Sequence, residues 1–159
     1  MEIEKVKREI DEMAKASSSG KELMERTCKK LNERMLKYNW VGFYMIDAHE
    51  PDYLLLGPFV GAMTPHTRIR LNQGICGAAA SSGATVVVDD VGKDSRYLAC
   101  SLETKSEIVV PVFVRGKVVG ELDIDSHFLS AFGKEDRELT EYCAKVLGSF
   151  LEKHEVQTK

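Results

Sequence analysis

The sequence predicts an α+β fold, an antiparallel sheet with the N- and C-terminal helices packed on one face. Three observations lead there. Helical periodicity is strong at both ends of the chain. The runs between them are short, rich in β-branched and aromatic residues, and mostly joined by connections of hairpin length. The order reads α-α-β-β-β-α-β-loop-β-β-α, so the terminal helices must cover the sheet they flank.

The 159 residues suit a single domain, with residues 1–18 a helical extension and 19–154 the core. Ile3, Val6, Ile10 and Met13 form one apolar stripe on the first helix. That stripe could pack on the domain or form the seam of a homodimer. Ser17-Ser18-Ser19-Gly20 breaks the helix, and Ser19 with Glu22 has capping-box form for a second. Leu23, Met24, Thr27, Cys28, Leu31 and Met35 give that helix a buried face.

Trp40–Asp47 reads as the first strand and Tyr53–Leu56 as the second, with Gly57-Pro58 ending or bending it before Phe59-Val60. Thr67–Leu71 alternates like a half-buried strand. Gly74–Ala80 reads as a glycine turn entering a short helix. It puts Cys76 near a helix N-terminus, where the positive dipole end favours a thiolate. Thr85–Val88 is a short strand. Asp89–Lys105 is a long polar loop that contains Cys100, and such loops are often functional. Lys134–His154 is an amphipathic helix with Leu139, Tyr142, Cys143, Val146, Leu147, Phe150 and Leu151 on one face.

Chemistry concentrates between Tyr97 and Ser126. Glu107 opens the run Ile108–Val114, the chain turns at Arg115-Gly116-Lys117, and Val118–Asp125 returns. Alternation puts Glu121, Asp123 and Asp125 on one face of the return strand. A hairpin places Glu107 at the Asp123/Asp125 edge, with a thiol on the loop that leads in.

Composition narrows the classes. Net charge is −3, which gives no basic footprint for nucleic acid. No apolar run reaches membrane-spanning length. The charged N-terminus has no signal-peptide core, so a cytoplasmic location and reduced cysteines are expected. None of the four cysteines forms a CxxC pair. A His66–Cys76–Cys100 set lacks ligand spacing, so no metal is expected.

Asn39-Trp40-Val41-Gly42-Phe43-Tyr44, Leu56-Gly57-Pro58-Phe59, Gly74-Ile75-Cys76-Gly77, Ala99-Cys100, Ser106-Glu107-Ile108-Val109-Val110-Pro111 and Gly120-Glu121-Leu122-Asp123-Ile124-Asp125-Ser126 together resemble the free methionine-R-sulfoxide reductase family, built on a GAF domain. The resemblance covers roughly residues 20–152 and implies a ligand pocket on the sheet face opposite the terminal helices, under the long loop. It implies that Cys100 is the nucleophile, that Cys76 matches a second family cysteine, and that Trp40, Tyr44, Glu107, Asp123 and Asp125 line the substrate pocket. His66 stands where many members carry a third, resolving cysteine. Either Cys76 resolves the oxidised nucleophile, or a small thiol from solution does, or the chain has lost the reaction.

Sulfoxide reduction needs a thiolate to attack sulfur and an acid for the departing oxygen. Clustered carboxylates supply a protonated acid near neutral pH, because like charges a few ångström apart do not all ionise. Glu107 or Asp125 is the expected acid, and the remaining carboxylates suit the ammonium of a free amino acid. No cofactor is expected to be bound, and an external thioredoxin-like thiol would be the reductant. The rival is a non-catalytic GAF sensor or binding module with an acidic pocket. Read without the resemblance, Asp123 and Asp125 could form a solvated face, Cys100 and His66 could be plain loop residues, and Trp40 and Cys76 could be packing.

Overall fold

The computed structural model describes residues 2–98 and 102–154. Among the described residues four α-helices and six strands run α1 (Glu2–Ala16), α2 (Gly20–Arg34), β1 (Trp40–Ile46), β2 (Tyr53–Val60), β3 (Arg68–Arg70), α3 (Gly74–Ser82), β4 (Val86–Val88), β5 (Ser106–Val114), β6 (Lys117–Ser126) and α4 (Lys134–His154). The strands form one six-stranded sheet in the order β3-β2-β1-β6-β5-β4, and every neighbouring pair is antiparallel.

The two sheet faces carry different chemistry because alternation sorts them. Val41, Phe43, Ile108, Val110, Val112, Leu122 and Ile124 point to the side where α2 and α4 lie. There they meet Leu23, Cys28, Leu31, Leu139, Leu147 and Phe150 in the main core. Cys28 and Cys143 are buried in it as small hydrophobes, as expected, and burial pushes the Cys143 thiol up to about 12. The α1 stripe packs within the chain: Val6 and Ile10 are fully buried and Ile3 and Met13 partly so. The face that could have formed a seam between two copies is therefore occupied inside one.

Trp40, Tyr44, Leu54, Ile69, Val88 and Val109 point to the other face, where α3 covers them with Ile75, Cys76, Ala79 and Ala80. Small residues let α3 sit close. A Cβ on Gly77 would come within 2.8 Å of the Leu71 carbonyl oxygen.

Local signals decide the junctions. Ser19 Oγ accepts from the Glu22 N–H at 3.1 Å, the first half of a capping box. The Glu22 carboxylate reaches one residue further back than the standard box, to the Ser18 N–H at 2.8 Å. Arg115 and Gly116 both have positive φ, 52° and 78°, which makes a two-residue turn whose twist matches the hairpin. Of the two readings of Gly57-Pro58, the bend is the one observed: the second strand runs on through Phe59 to Val60, and the register shifts between Gly42 and Tyr44. A bulge takes up the proline, which has no N–H for the ladder.

Candidate active site

Register places the carboxylates. Glu107 lies opposite Asp125, and Asp125 lies opposite Trp40 on the other side of β6. Asp123 stands between Val109 and Gly42, and Glu121 between Pro111 and Tyr44. Three rows thus cross the central strands on the α3 face, each with a carboxylate on β6. All four acids are buried, Glu121 completely. The hairpin reading of Glu107, Asp123 and Asp125 at one sheet edge holds, and the solvated-face reading does not.

Two cavities open over these rows. The smaller, about 20 Å³, is lined by Tyr44, His66, Cys76, Leu98, Glu107 and Asp123 among others. It is close to the size of a single water site. The larger, about 130 Å³, is lined by Asn39, Trp40, Thr64, Glu103, Asp125 and His127 among others. Each pocket residue expected from the sequence lines one or the other. Among the described residues neither wall carries a lysine or an arginine.

Aromatic residues shape the walls. The Trp40 ring stacks on Phe59 at 5.6 Å and its Nε1 donates to the Ala62 carbonyl at 3.0 Å. The ring lies over Gly42, where any side chain would collide with it. Tyr44 donates its hydroxyl to the His66 carbonyl at 2.7 Å, pinning the loop that brings His66 in. His66, read as a surface loop residue, is half-buried and lines the smaller cavity.

Burial dominates the electrostatics. It holds Glu107 well above the usual carboxylate range, helped by the neighbouring charges of Asp123 and Asp125. It raises Asp123 as well. Asp125 and Glu121 are also held well up, by burial first and then by Asp123. A low-dielectric wall without a built-in cation penalises every ionised oxygen. The cluster therefore stores protons and invites a cation.

Cys76 corrects one expectation. It is the third residue of α3, yet it is no stabilised thiolate. Burial, then Asp123, Glu121 and Glu107, push its thiol well up, and the S–H donates to Asp123 Oδ2 at 3.3 Å. The nearby buried acids outweigh the dipole of a short helix, whose effect is modest. Cys100 lies outside the described residues. Leu98, which leads towards it, lines the smaller cavity.

The sequence reading passed over Glu121 as a site residue, although it noted the shared face. Its signal was the alternation itself: a third acid in phase with Asp123 and Asp125.

An antiparallel sheet with terminal helices on one face and a polar cavity under a short helix on the other is the plan of a GAF domain, and the GAF domain family model matches residues 20–151. The free methionine-R-sulfoxide reductase of Escherichia coli is 34% identical over 146 residues, 89% of this chain and 86% of that protein. The free methionine-R-sulfoxide reductase of Saccharomyces cerevisiae is 44% identical over 110 residues, 69% of this chain and 61% of the yeast protein, so the chain spans under two thirds of that relative. The solved structure of a free methionine-R-sulfoxide reductase from Neisseria meningitidis, in complex with its substrate, has a TM-score of 0.91 at 35% identity and covers 98% of this chain and 91% of that one. The chain belongs to the free methionine-R-sulfoxide reductase family of GAF domains.

Proposed function

We propose that this chain reduces free methionine-R-sulfoxide to methionine. The observation that carries the proposal is the buried carboxylate cluster beside Cys76, without lysine or arginine among the described residues and walled by Trp40 and Tyr44. The similarity to a reductase structure holding its substrate, over 98% of the chain, supports it.

The substrate's ammonium supplies the positive charge that Asp123 and its neighbours lack. A peptide-bound residue has no such group and is refused. Trp40 and Tyr44 wall the methyl end. The Cys100 thiolate attacks the sulfoxide sulfur while Glu107 or Asp125 protonates the oxygen. The oxygen passes to the cysteine, which leaves methionine and a Cys100 sulfenic acid. A second thiol then attacks the sulfenic sulfur, forms a disulfide and releases water. A thioredoxin-like dithiol reduces that disulfide and is itself oxidised. With His66 in the place of the family's third cysteine, the second thiol is Cys76 or a small thiol from solution. The raised thiol of Cys76 favours the small thiol, because attack needs a thiolate.

The second reading is a binding module without turnover, and His66 is the observation in its favour. The deciding assay follows consumption of free methionine-R-sulfoxide with dithiothreitol as reductant. Turnover by the parent, and its loss in Cys100→Ser, are expected. Turnover that survives in Cys100→Ser rules out the mechanism, and none in the folded parent leaves the binding module.

A further inference from the structure

We propose that Cys76, Glu107 and Asp123 form a binding site for a borderline-soft divalent cation of the Zn²⁺ type, overlapping the ammonium position of the pocket. One ligand atom from each of the three, Sγ and two carboxylate oxygens, lies within 4.8 Å of the other two. All three residues are buried. Tetrahedral zinc with its usual Zn–S and Zn–O bond lengths separates such atoms by about 3.5 Å. Cys76 Sγ and Asp123 Oδ2 stand at 3.3 Å already, so one edge of the tetrahedron is nearly formed.

Unpartnered oxygens point independently to a ligand. The single Cys76 proton goes to Asp123 Oδ2, while Asp123 Oδ1 and both oxygens of fully buried Glu121 have no hydrogen-bond partner among the described residues. Glu121 neighbours Asp123 across one residue of β6 and also presses on the Cys76 thiol. Buried acceptors of this kind cost stability unless a cation or a proton meets them. A dication meets several at once.

The donor set selects the metal. One thiolate and two carboxylates suit Zn²⁺ better than Mg²⁺ or Ca²⁺, which take oxygen ligands only. Three protein ligands leave a fourth position open, as in zinc sites that hold water or substrate. Binding displaces the thiol proton and the protons shared among the acids, so affinity rises with pH. Free amino acid and metal then compete for the same carboxylates. The inference needs no turnover; only the competition arm rests on the proposed substrate.

Co²⁺ added to the metal-free, reduced chain is the direct probe, because a cobalt thiolate shows a charge-transfer band that carboxylates alone do not. The band is expected in the parent and in Cys100→Ser, and absent in Cys76→Ser with circular dichroism unchanged. A parent without the band overturns the proposal, and so does a band that follows Cys100 instead of Cys76. Zn²⁺ affinity, read against a chromophoric chelator, should fall in Glu107→Gln by more than the roughly 10–100-fold expected for losing an outer partner. It should fall in Glu121→Gln by about that 10–100-fold itself. Unchanged affinity in Glu107→Gln overturns the site even if Cys76→Ser does not fold. Displacement of Co²⁺ by methionine sulfoxide but not by glycine, which chelates the metal equally well in solution, places metal and amino acid in one pocket. Displacement failing while the Cys76 band is present overturns the overlap with the ammonium position and counts against the substrate reading.

Discussion

Among the described residues neither oxygen of Glu121 has a hydrogen-bond partner, and the residue is fully buried. Its position is set by Tyr44 and Pro111 on the flanking strands. Burial lifts its folded pKa well above the unfolded value of about 4.3. The sign follows from linkage. The protonated form supports the fold fully below about pH 4.3, and that support is lost as pH rises through the folded value. Glu121→Gln keeps the shape and removes the charge. In metal-free buffer it should therefore be more stable than the parent at pH 8, with the difference shrinking towards pH 5. Each unit of pKa shift corresponds to roughly 1.4 kcal/mol. Urea unfolding at the two pH values checks this, and a difference flat with pH would mean that Glu121 is not protonated in the fold. Residue positions were legible wherever strand alternation carried them: Asp123, Asp125 and Glu107 stand where the sequence put them. Cys76 was legible in place but not in chemistry. Helix position is a one-dimensional signal, whereas the burial that raises its thiol, and then the acids, come from its packing against β5 and β6.

The elements were legible because their signals are local. The α1 stripe, the Ser19 cap and the positive-φ turn at Arg115-Gly116 each specify one boundary from a few neighbouring residues. At Gly57-Pro58 the sequence left an end and a bend both open, because a strand's continuation past a proline depends on its partner, here β1. Packing between elements was hidden for the same reason. Gly148 of α4 looks like a weak point in a helix, worth up to about 1 kcal/mol if replaced by alanine. The fold reverses that sign. A Cβ there would overlap the Phe113 carbonyl oxygen on β5. Gly148→Ala should push α4 off the sheet and destabilise the protein by about 1–3 kcal/mol, the usual range for overpacking. A rise in thermal midpoint in that variant would show that Gly148 is not pressed against the Phe113 carbonyl.

At the scale of the whole molecule, one sheet separates two environments. The helix side is apolar and tightly packed, while the α3 side holds four acids whose ionisation the fold resists. The stable side supports the strained one through the shared strands β1, β5 and β6. That arrangement was legible in outline, since period-2 alternation assigns the faces, but the division into two cavities depends on where α3 and the loop at His66 come to rest. It also yields a prediction for the intact protein. Raising the pH weakens the fold through the carboxylates, and a bound ammonium offsets their charge. Free methionine sulfoxide should therefore raise the thermal midpoint more at pH 8 than at pH 5. At about 100 times Kd the stabilisation is about 2.7 kcal/mol. For a domain of this size that corresponds to a shift of roughly 5–11 °C. N-acetylmethionine sulfoxide keeps the sulfoxide and loses the charge, so it should shift the midpoint by less than about 1 °C under the same conditions. Equal shifts from the two compounds would show that the pocket reads the sulfoxide end alone, and the carboxylate cluster would then need another occupant.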